Sequence, residues 1–282
     1  MRAFISTTLV ALAIAVGAQA VTELHDVVYR TVGGVSLTLD VYLPDSPGAH
    51  PAILFVHGGA WHTGDKRTLA PLARFLAERG YVGFSVNYRL APMHTFPAAL
   101  EDLRCAVKWI RAHAADYGVD PDRIAAVGTS AGAHLVALLG AAPETLGACG
   151  DPALSSRVQA VISLFGPMDL LSAVGTPAEA AVESFLGASA QEDPDLWREA
   201  SPIAWASPDD PPFLLIHGRD DRVVPYQESV RMADALRRAG AEAELLLIPG
   251  AGHGFINHPA TPAARRAVAA MVEFLADTLG AP

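Results

Sequence analysis

A serine inside a short glycine motif is the first residue whose surroundings predict chemistry. Residues 128–132 read Gly-Thr-Ser-Ala-Gly, a G-x-S-x-G pattern, and an apolar run over residues 124–127 comes directly before it. When such a pattern joins a strand to a helix, it places a nucleophile on a sharp turn between small neighbours. A serine hydroxyl is a weak nucleophile at neutral pH and needs a general base that is oriented by a carboxylate. Ser130 is therefore the predicted nucleophile of an acyl-transfer reaction.

Two later loops supply the candidate acid and base in the order Ser, Asp, His. One loop follows an apolar run and contains Asp220 and Asp221, and the next carries His253 between two glycines. Both loops come after a strand end, which is where open α/β sheets bind their ligands. His253 is the predicted base. The spacing alone allows Asp220, Asp221 or the earlier Asp169 as the acid.

A pair of glycines earlier in the chain predicts hydrogen-bond donors for an oxyanion. Residues 57–61 read His-Gly-Gly-Ala-Trp, at the end of an apolar run over residues 52–56. Adjacent glycines let the backbone approach a substrate oxygen, and the N–H after the nucleophile adds another donor. The predicted donors are the N–H groups of Gly58, Gly59 and Ala131. An ordinary glycine turn after a strand is the alternative.

The other histidines near these motifs are assigned supporting roles. His57 is expected to shape the glycine loop. His134, one helical turn beyond Ser130, and His217, before the acid loop, are expected to pack or to form hydrogen bonds. Because no pair of histidines has the spacing of metal ligands, the sequence predicts no metal, and it predicts no cofactor.

The elements that must position these residues alternate along the chain. Apolar runs without polar alternation predict strands buried on both faces, as in a parallel sheet covered by helices. The predicted strands are residues 52–56, 81–86, 124–127, 158–165, 213–216 and 243–248. The predicted helices are residues 68–79, 97–113, 131–139, 227–239 and 260–279. This order predicts an α/β fold with a mostly parallel sheet of about eight strands and helices on both faces.

Two segments depart from this alternation. Between residues 26 and 42, two β-rich runs flank Gly33-Gly34, and such a two-residue loop predicts a hairpin because both glycines accept positive φ. Residues 169–211 are rich in Ala, Ser, Pro and Asp, show little strand character and are too long for a plain connection. They predict a small cap or a wall of the substrate cleft. A helical excursion without substrate contact is the alternative.

Composition and charge restrict the class of protein. The chain has 282 residues, 51% of them hydrophobic, which is enough for one substantial core. We expect a single catalytic domain over residues 21–282. The formal net charge of −10 and the scattered basic residues argue against a nucleic-acid or anionic-membrane partner. The predicted partner is therefore a small-molecule substrate.

The first twenty residues have the pattern of a signal peptide. Arg2 is followed by an apolar run over residues 3–17 and then by Ala18-Gln19-Ala20, an A-x-A cleavage pattern. The run is shorter than the roughly 20 apolar residues that span a bilayer. The sequence thus predicts cleavage after Ala20, a secreted or periplasmic location, and no stable membrane anchor after cleavage. An uncleaved N-terminal anchor is the alternative.

The two cysteines of the chain, Cys105 and Cys149, form no CxxC motif. Cys105 lies on the polar side of the predicted helix 97–113, and Cys149 lies in a glycine-rich connection that can pass over that side. In an oxidising compartment two thiols that can meet tend to pair. We therefore expect a Cys105–Cys149 disulfide, with two free thiols as the alternative.

Longer segments of the chain resemble a known family. Residues 57–66, 87–92, 120–124 and 252–255 resemble the esterase and lipase branch of the α/β-hydrolases. Nearly the whole mature chain looks like the bacterial acetyl esterase and feruloyl-esterase-like group. The related hormone-sensitive-lipase group usually carries Gly-Asp-Ser-Ala-Gly-Gly, whereas Thr129 stands in place of that Asp here.

This resemblance implies an activity and narrows the site. In the feruloyl-esterase type the acid stands two residues before Val-Val-Pro, which favours Asp221 over Asp220. The family implies a serine carboxylesterase on an α/β-hydrolase fold, acting on short-chain acyl or acyl-carbohydrate esters, and Trp61 is expected to contact substrate. Because the HGGxW pattern also occurs in arylformamidases, an arylformamidase or a peptidase-like serine hydrolase is an alternative. A non-catalytic binding protein on the same fold is a more remote one.

Overall fold

An eight-stranded sheet forms the centre of the computed structural model, which describes residues 20–282. Its strands are β1 (Val21–Val32), β2 (Val35–Pro44), β3 (His50–Val56), β4 (Val82–Val86), β5 (Val119–Thr129), β6 (Ala160–Leu164), β7 (Phe213–Gly218) and β8 (Ala243–Ile248). They lie in the order β1-β2-β4-β3-β5-β6-β7-β8. The first two pairings, β1 with β2 and β2 with β4, are antiparallel, and all the others are parallel. The predicted mostly parallel sheet with an N-terminal hairpin is confirmed. Most of the predicted signal peptide, residues 1–19, lies outside the described residues.

The hairpin turns where the glycine pair predicts it. Gly33 and Gly34 adopt φ values of 57° and 80°, the left-handed conformation that a tight two-residue hairpin loop requires. The central strands explain the apolar runs without alternation, because every residue of β3, β4 and β6 is buried. Such strands are covered by helices on both faces of the sheet.

Seven α-helices lie among residues 20–282. They are α1 (Ala70–Ala77), α2 (Ala98–Ala112), α3 (Ala131–Ala141), α4 (Glu179–Leu186), α5 (Pro194–Glu199), α6 (Gln227–Ala239) and α7 (Pro262–Leu279). One core cluster joins the sheet to α2, α3 and α6, and the cluster on the opposite face joins it to α1 and α7. Within the described range, no helix combines the length and the apolar character needed to cross a bilayer.

The helix predicted over residues 68–79 differs from the observed element at its start. The chain first forms a 3₁₀ turn, Lys66–Leu69, whose cap is the Asp65 carboxylate accepting from the Arg67 N–H at 2.8 Å. The α-helix begins only at Ala70, and Pro71 in its first turn leaves no backbone donor unsatisfied there. Element ends elsewhere differ from the predictions by a few residues, except that β1 begins at Val21, five residues before the predicted hairpin, and β5 extends back to Val119.

The segment at 169–211 is helical and lies between β6 and β7. It contains α4, α5 and two 3₁₀ turns, and no strand is described within it. Asp193 caps α5 by accepting from the Leu196 N–H at 3.0 Å. Phe185 of α4 and Trp197 of α5 are buried in the core cluster of α2 and α3. The segment is therefore packed on the domain, and its contact with substrate stays a prediction.

The two cysteines meet beside α2. The structure joins Cys105 of α2 to Cys149, which follows α3, with the two Cα atoms 5.3 Å apart. That separation lies within the usual range for a disulfide. Its formation in the protein as purified remains a prediction.

Reduction of this bond is expected to lower the free energy of unfolding by about 4 kcal/mol, because the cysteines stand 44 residues apart and the bond restricts the unfolded chain. Urea unfolding of the oxidised protein and of a Cys105→Ser/Cys149→Ser variant measures the difference. The kcat should stay unchanged, since the bond lies away from the carboxyl ends of the central strands. Titration of two free thiols in the unfolded, unreduced protein would contradict the pairing.

Candidate active site

Ser130 occupies a strained turn between β5 and α3. Its φ of 52° and ψ of −119° lie in a region that residues other than glycine rarely adopt. The Ser130 N–H donates to the Leu164 carbonyl at the end of β6, at 2.9 Å, which fixes the turn to the neighbouring strand. Strain of this kind persists only where the surrounding structure holds it, and it is concentrated at functional sites.

The two glycines of the motif permit this turn by close packing. A Cβ at Gly128 would collide with the backbone carbonyl of Gly132 in the first turn of α3. A Cβ at Gly132 would collide with the backbone carbonyls of Val56 and His57. Strand, helix and glycine loop are therefore in direct backbone contact, and small residues are a steric requirement at both positions.

The predicted base and acid lie in line with the serine. His253 follows β8, and its Nε2 lies 3.0 Å from Ser130 Oγ. Its Nδ1 lies 2.7 Å from Asp221 Oδ2, in the loop after β7. Neighbouring parallel strands carry their carboxyl ends to one edge of the sheet, which brings these distant residues together. The arrangement matches that of a serine nucleophile, an imidazole base and an orienting carboxylate.

The carboxylate of Asp221 is fully buried and densely hydrogen-bonded. Its Oδ1 accepts from the N–H groups of Val223 at 2.8 Å and Val224 at 3.0 Å, and His217 Nε2 lies 3.3 Å from Oδ2. Burial raises the pKa of Asp221, but the hydrogen bonds from His217, His253 and the two amides outweigh it and hold that pKa well below its usual range. Asp221 therefore stays ionised beside the imidazole.

The other candidate acids make no such contact. Asp220 is exposed, and Asp169 is half-buried with its N–H donating to a Glu228 carboxylate oxygen at 2.8 Å. Among the described residues, Asp221 alone of the three pairs with His253. The geometry thus favours the acid that the family resemblance indicates.

Two supporting side chains extend the site beyond the residues of the motifs. His217 bonds through Nδ1 to Ser229 Oγ at 2.7 Å and through Nε2 to the Val224 carbonyl at 3.0 Å. The sequence predicts that His217 packs or forms hydrogen bonds, and it does not identify the hydrogen-bond partners. Phe165 was missed altogether, and its ring packs edge-on against His253 with centroids 4.9 Å apart. The available signal was an aromatic residue at the end of an apolar run.

The glycine loop passes directly against the nucleophile. A Cβ at Gly58 would lie 3.1 Å from the Ser130 Cβ and 2.8 Å from the Thr129 carbonyl oxygen. Within residues 20–282, the N–H groups of Gly58, Gly59 and Ala131 have no backbone acceptor. These three donors therefore remain available to a substrate oxygen beside the serine, as the oxyanion prediction requires.

His57 shapes this loop, as expected. Its Nδ1 donates to the Gly58 carbonyl at 2.7 Å, and its own carbonyl accepts from the Tyr88 hydroxyl at 2.9 Å. The Tyr88 ring stacks on the imidazole with centroids 4.4 Å apart. Burial lowers the pKa of His57, which keeps the imidazole neutral in this structural role.

Trp61, at the end of the glycine loop, is buried. Its side chain is 5% exposed and stacks on Phe185 with centroids 4.6 Å apart. Its Nε1 donates to His134 Nδ1 at 3.2 Å, and His134 Nε2 donates to the Ala200 carbonyl at 2.7 Å. These contacts pack the indole between protein groups. The expected contact of Trp61 with substrate stays a prediction.

The buried imidazole of His134 predicts acid sensitivity. Burial lowers its pKa to about 4, opposed in part by the bond to the Ala200 carbonyl. The unfolded histidine, with a pKa of about 6.5, takes up a proton that the folded one refuses. Stability contributed by this residue is therefore complete above pH 6.5 and falls by about 3 kcal/mol as the pH falls from about 6.5 to 4.

This loss is measured by urea unfolding of the protein and of His134→Asn at several values of pH between 4 and 7. The stability difference between the two should shrink as the pH falls, because the variant lacks the titrating group. Carboxylates and histidines that both proteins share contribute equally to the two free energies of unfolding, so their effect cancels in the difference. A difference that does not change with pH contradicts the prediction.

The fold and the site together define the class of protein. A Ser-His-Asp arrangement on a strand-to-helix turn, at the carboxyl ends of a mostly parallel sheet, is that of a serine hydrolase on the α/β-hydrolase fold. Residues 39–236 match the BD-FAE family model, and the chain belongs to this family. The predicted resemblance to the α/β-hydrolase esterases is confirmed.

Similar proteins are esterases by name. Esterase LipQ of Mycobacterium tuberculosis is 37% identical over 258 residues, which cover 86% of this chain and 60% of that protein. Esterase 2 of Thermogutta terrifontis, solved with propionate bound, is 28% identical with a TM-score of 0.79, covering 95% of this chain and 97% of that one. A truncated carbohydrate esterase from gut microbiota is 29% identical with a TM-score of 0.80, covering 93% and 97%. The chain spans between 56% and 60% of the lengths of LipQ and two further mycobacterial relatives.

Proposed function

We propose that this protein is a carboxylesterase that hydrolyses carboxylic esters through an acyl-enzyme on Ser130. The observation that carries the proposal is the continuous chain of contacts from Ser130 Oγ to His253 at 3.0 Å and from His253 to Asp221 at 2.7 Å. The names of the similar proteins support ester hydrolysis. Residues 21–282 form the proposed catalytic domain.

The first half of the reaction forms the acyl-enzyme. Ser130 Oγ attacks the ester carbonyl carbon while His253 Nε2 accepts the hydroxyl proton. Asp221 holds the Nδ1–H tautomer of the imidazole and stabilises the imidazolium that forms. The negative charge on the former carbonyl oxygen is stabilised by the N–H groups of Gly58, Gly59 and Ala131. Collapse breaks the ester C–O bond, and the alcohol leaves with the proton from His253.

The second half releases the acid by the same groups. A water molecule takes the place of the alcohol, and His253 accepts one of its protons as the oxygen attacks the acyl carbon. The same N–H donors stabilise the second tetrahedral intermediate. Ser130 then leaves as the alkoxide and recovers its proton from His253, which restores the enzyme.

We propose short-chain acyl or acyl-carbohydrate esters as the substrate class. Thermogutta esterase 2 was solved with propionate and with butyrate bound, and another structural relative is named a carbohydrate esterase. Both kinds of substrate react at one ester carbonyl, so the triad serves either without change. The acyl and alcohol preferences are properties of the cleft around Ser130.

A substrate panel tests the activity directly. Purified protein is assayed with aryl esters of increasing acyl length, acetylated sugars, formyl-anilides and peptides, with Ser130→Ala as the blank. We expect the highest kcat/KM on acetyl to butyryl esters. Faster cleavage of a formyl-anilide or a peptide than of any ester would show that the bond hydrolysed is an amide. No turnover of any substrate by the folded protein would favour a binding protein.

We also propose that the protein is exported, to the periplasm or outside the cell. The basic residue, apolar run and A-x-A sequence that end at Ala20 support this location, as does the 5.3 Å separation of the Cys105 and Cys149 Cα atoms, which suits a disulfide. Fractionation of cells followed by N-terminal sequencing tests it, and the mature chain should begin at Val21. Recovery of the intact chain from the cytoplasm would contradict export.

A further inference from the structure

Three consecutive residues of the glycine loop have positive φ. The values are 118° for Gly59, 51° for Ala60 and 63° for Trp61. Glycine accepts this region freely, but a side chain with a Cβ does not. Ala60 and Trp61 must therefore be held in place by contacts outside their own backbone. Since the loop continues directly from Gly58 and Gly59, those contacts also decide where the two glycine N–H groups lie.

The indole of Trp61 supplies such contacts. It is almost fully buried, stacks on Phe185 and donates its N–H to His134 Nδ1 at 3.2 Å. The Trp61 carbonyl accepts from the Ala91 N–H at 3.0 Å. The side chain and the main chain of one residue therefore fasten the strained end of the loop.

Only one placement of the imidazole proton is compatible with the hydrogen bond between Trp61 and His134. An indole nitrogen can only donate, so His134 Nδ1 must be unprotonated to accept. The proton then lies on Nε2, which donates to the Ala200 carbonyl at 2.7 Å. Both ring nitrogens of a fully buried imidazole are thereby satisfied, in one tautomer and one orientation.

The residue that carries this imidazole lies in the nucleophile helix, and its bond to Ser130 is one between main-chain atoms. His134 stands one turn after Ser130 in α3, and its N–H donates to the Ser130 carbonyl at 3.1 Å. The helix that carries the nucleophile is therefore bonded to the loop that carries the predicted oxyanion donors. A shift of either would change the distance between Ser130 and these donors.

We propose that Trp61 and His134 are positioning residues that hold the Gly58 and Gly59 N–H groups at the oxyanion, by locking the strained loop to the nucleophile helix. The inference rests on the proposed ester hydrolysis and assigns both residues a positioning role in it, which is separate from the predicted contact of Trp61 with substrate. Oxyanion donors act only within about 2.7–3.1 Å of the charged oxygen, so a small displacement of the loop weakens them.

The test compares two buried tryptophans. Trp61→Phe keeps a ring on Phe185 and removes the indole donor. Trp197→Phe is the matched control, because Trp197 is also buried and also loses an indole hydrogen bond, to the Ala188 carbonyl at 3.0 Å. We expect Trp61→Phe to lower kcat by about 10- to 100-fold with KM changed less than about twofold, and the control to keep nearly full activity.

A double-mutant cycle separates positioning from general packing. If the two residues act through one bond, Trp61→Phe combined with His134→Leu lowers kcat little more than the larger single effect. Equal losses in Trp61→Phe and in the control, additive losses in the double variant, or a rise in KM at unchanged kcat would each overturn the proposal.

A crystal structure of Trp61→Phe gives a readout that does not depend on activity. The expected result is a loop whose Gly59 and Ala60 backbone has moved away from Ser130. A loop unchanged from the native one overturns the proposal whatever the kinetics show. If the native protein hydrolyses no ester, the proposed function fails while this structural comparison still decides the positioning role.

Discussion

Ser130→Ala is expected to lower kcat on esters by a factor on the order of 10⁴ or more, because it removes the only atom that forms the acyl-enzyme. The fold should be retained, since among residues 20–282 the Ser130 hydroxyl hydrogen-bonds only to His253, while the backbone N–H holds the turn. Steady-state kinetics and labelling with a fluorophosphonate measure the loss. The variant should also fail to take up the label.

Ser163→Ala is the matched control for this change. Ser163 lies in the adjacent strand β6, and its buried hydroxyl has no hydrogen-bond partner among residues 20–282. Its removal should leave kcat near the native value and the stability equal or higher, because no bond is lost. A folded Ser130→Ala protein that kept a tenth of the native activity would exclude Ser130 as the nucleophile.

Asp221→Asn is expected to lower kcat by a factor on the order of 10⁴. The NH₂ group of the new asparagine can donate a hydrogen bond to His253 Nδ1. This favours the imidazole tautomer with its proton on Nε2. That tautomer cannot accept the proton of Ser130. The change also removes the charge that stabilises the imidazolium. Kinetics at constant pH, together with thermal unfolding to confirm the fold, measure the effect.

Asp220→Asn and Asp169→Asn serve as controls for the acid. Asp220 is exposed, the backbone N–H of Asp169 donates to Glu228, and among residues 20–282 neither carboxylate pairs with His253. Both variants should keep kcat within a few-fold of the native value. If either cost more than Asp221→Asn, the orienting acid would be that residue instead.

The catalytic motifs were predictable because each combines local geometry with a chemical need. The glycines around Ser130 and His253 mark turns after apolar runs that form strands, and a parallel sheet carries those turns to one edge. The strands themselves were predictable because full burial removes polar alternation, as in β3 and β4. Local sequence therefore identified the fold class, the nucleophile and the base.

The choice of acid could not come from spacing. Asp220 and Asp221 are consecutive, yet one is exposed and the other has a fully buried carboxylate. The direction of each side chain depends on the turn after β7, where the Val223 and Val224 amides converge on one of them. Only the resemblance to relatives separated the two residues before the structure did.

Contacts between residues far apart in the sequence also could not be predicted from local sequence patterns. Trp61 and His134 are 73 residues apart, and nothing in either motif predicts their hydrogen bond. Phe165 reaches His253 only because β6 lies in the sheet next to the nucleophile strand. Such pairs depend on the order of the strands and on how the helices pack against the sheet. Tertiary packing determines both, and the secondary-structure propensity of single residues does not.

The backbone contacts at Gly128 and Gly132 also limit how this protein can vary. At these positions even a methyl group meets main-chain atoms, which cannot move aside as a flexible side chain would. A substitution there displaces the nucleophile, the helix and the glycine loop together, so stability and turnover are lost in one step. Mutational tolerance at the nucleophile turn is therefore low for steric reasons that apply whatever the substrate. Altered selectivity, in nature or in a directed library, has to arise from positions outside it.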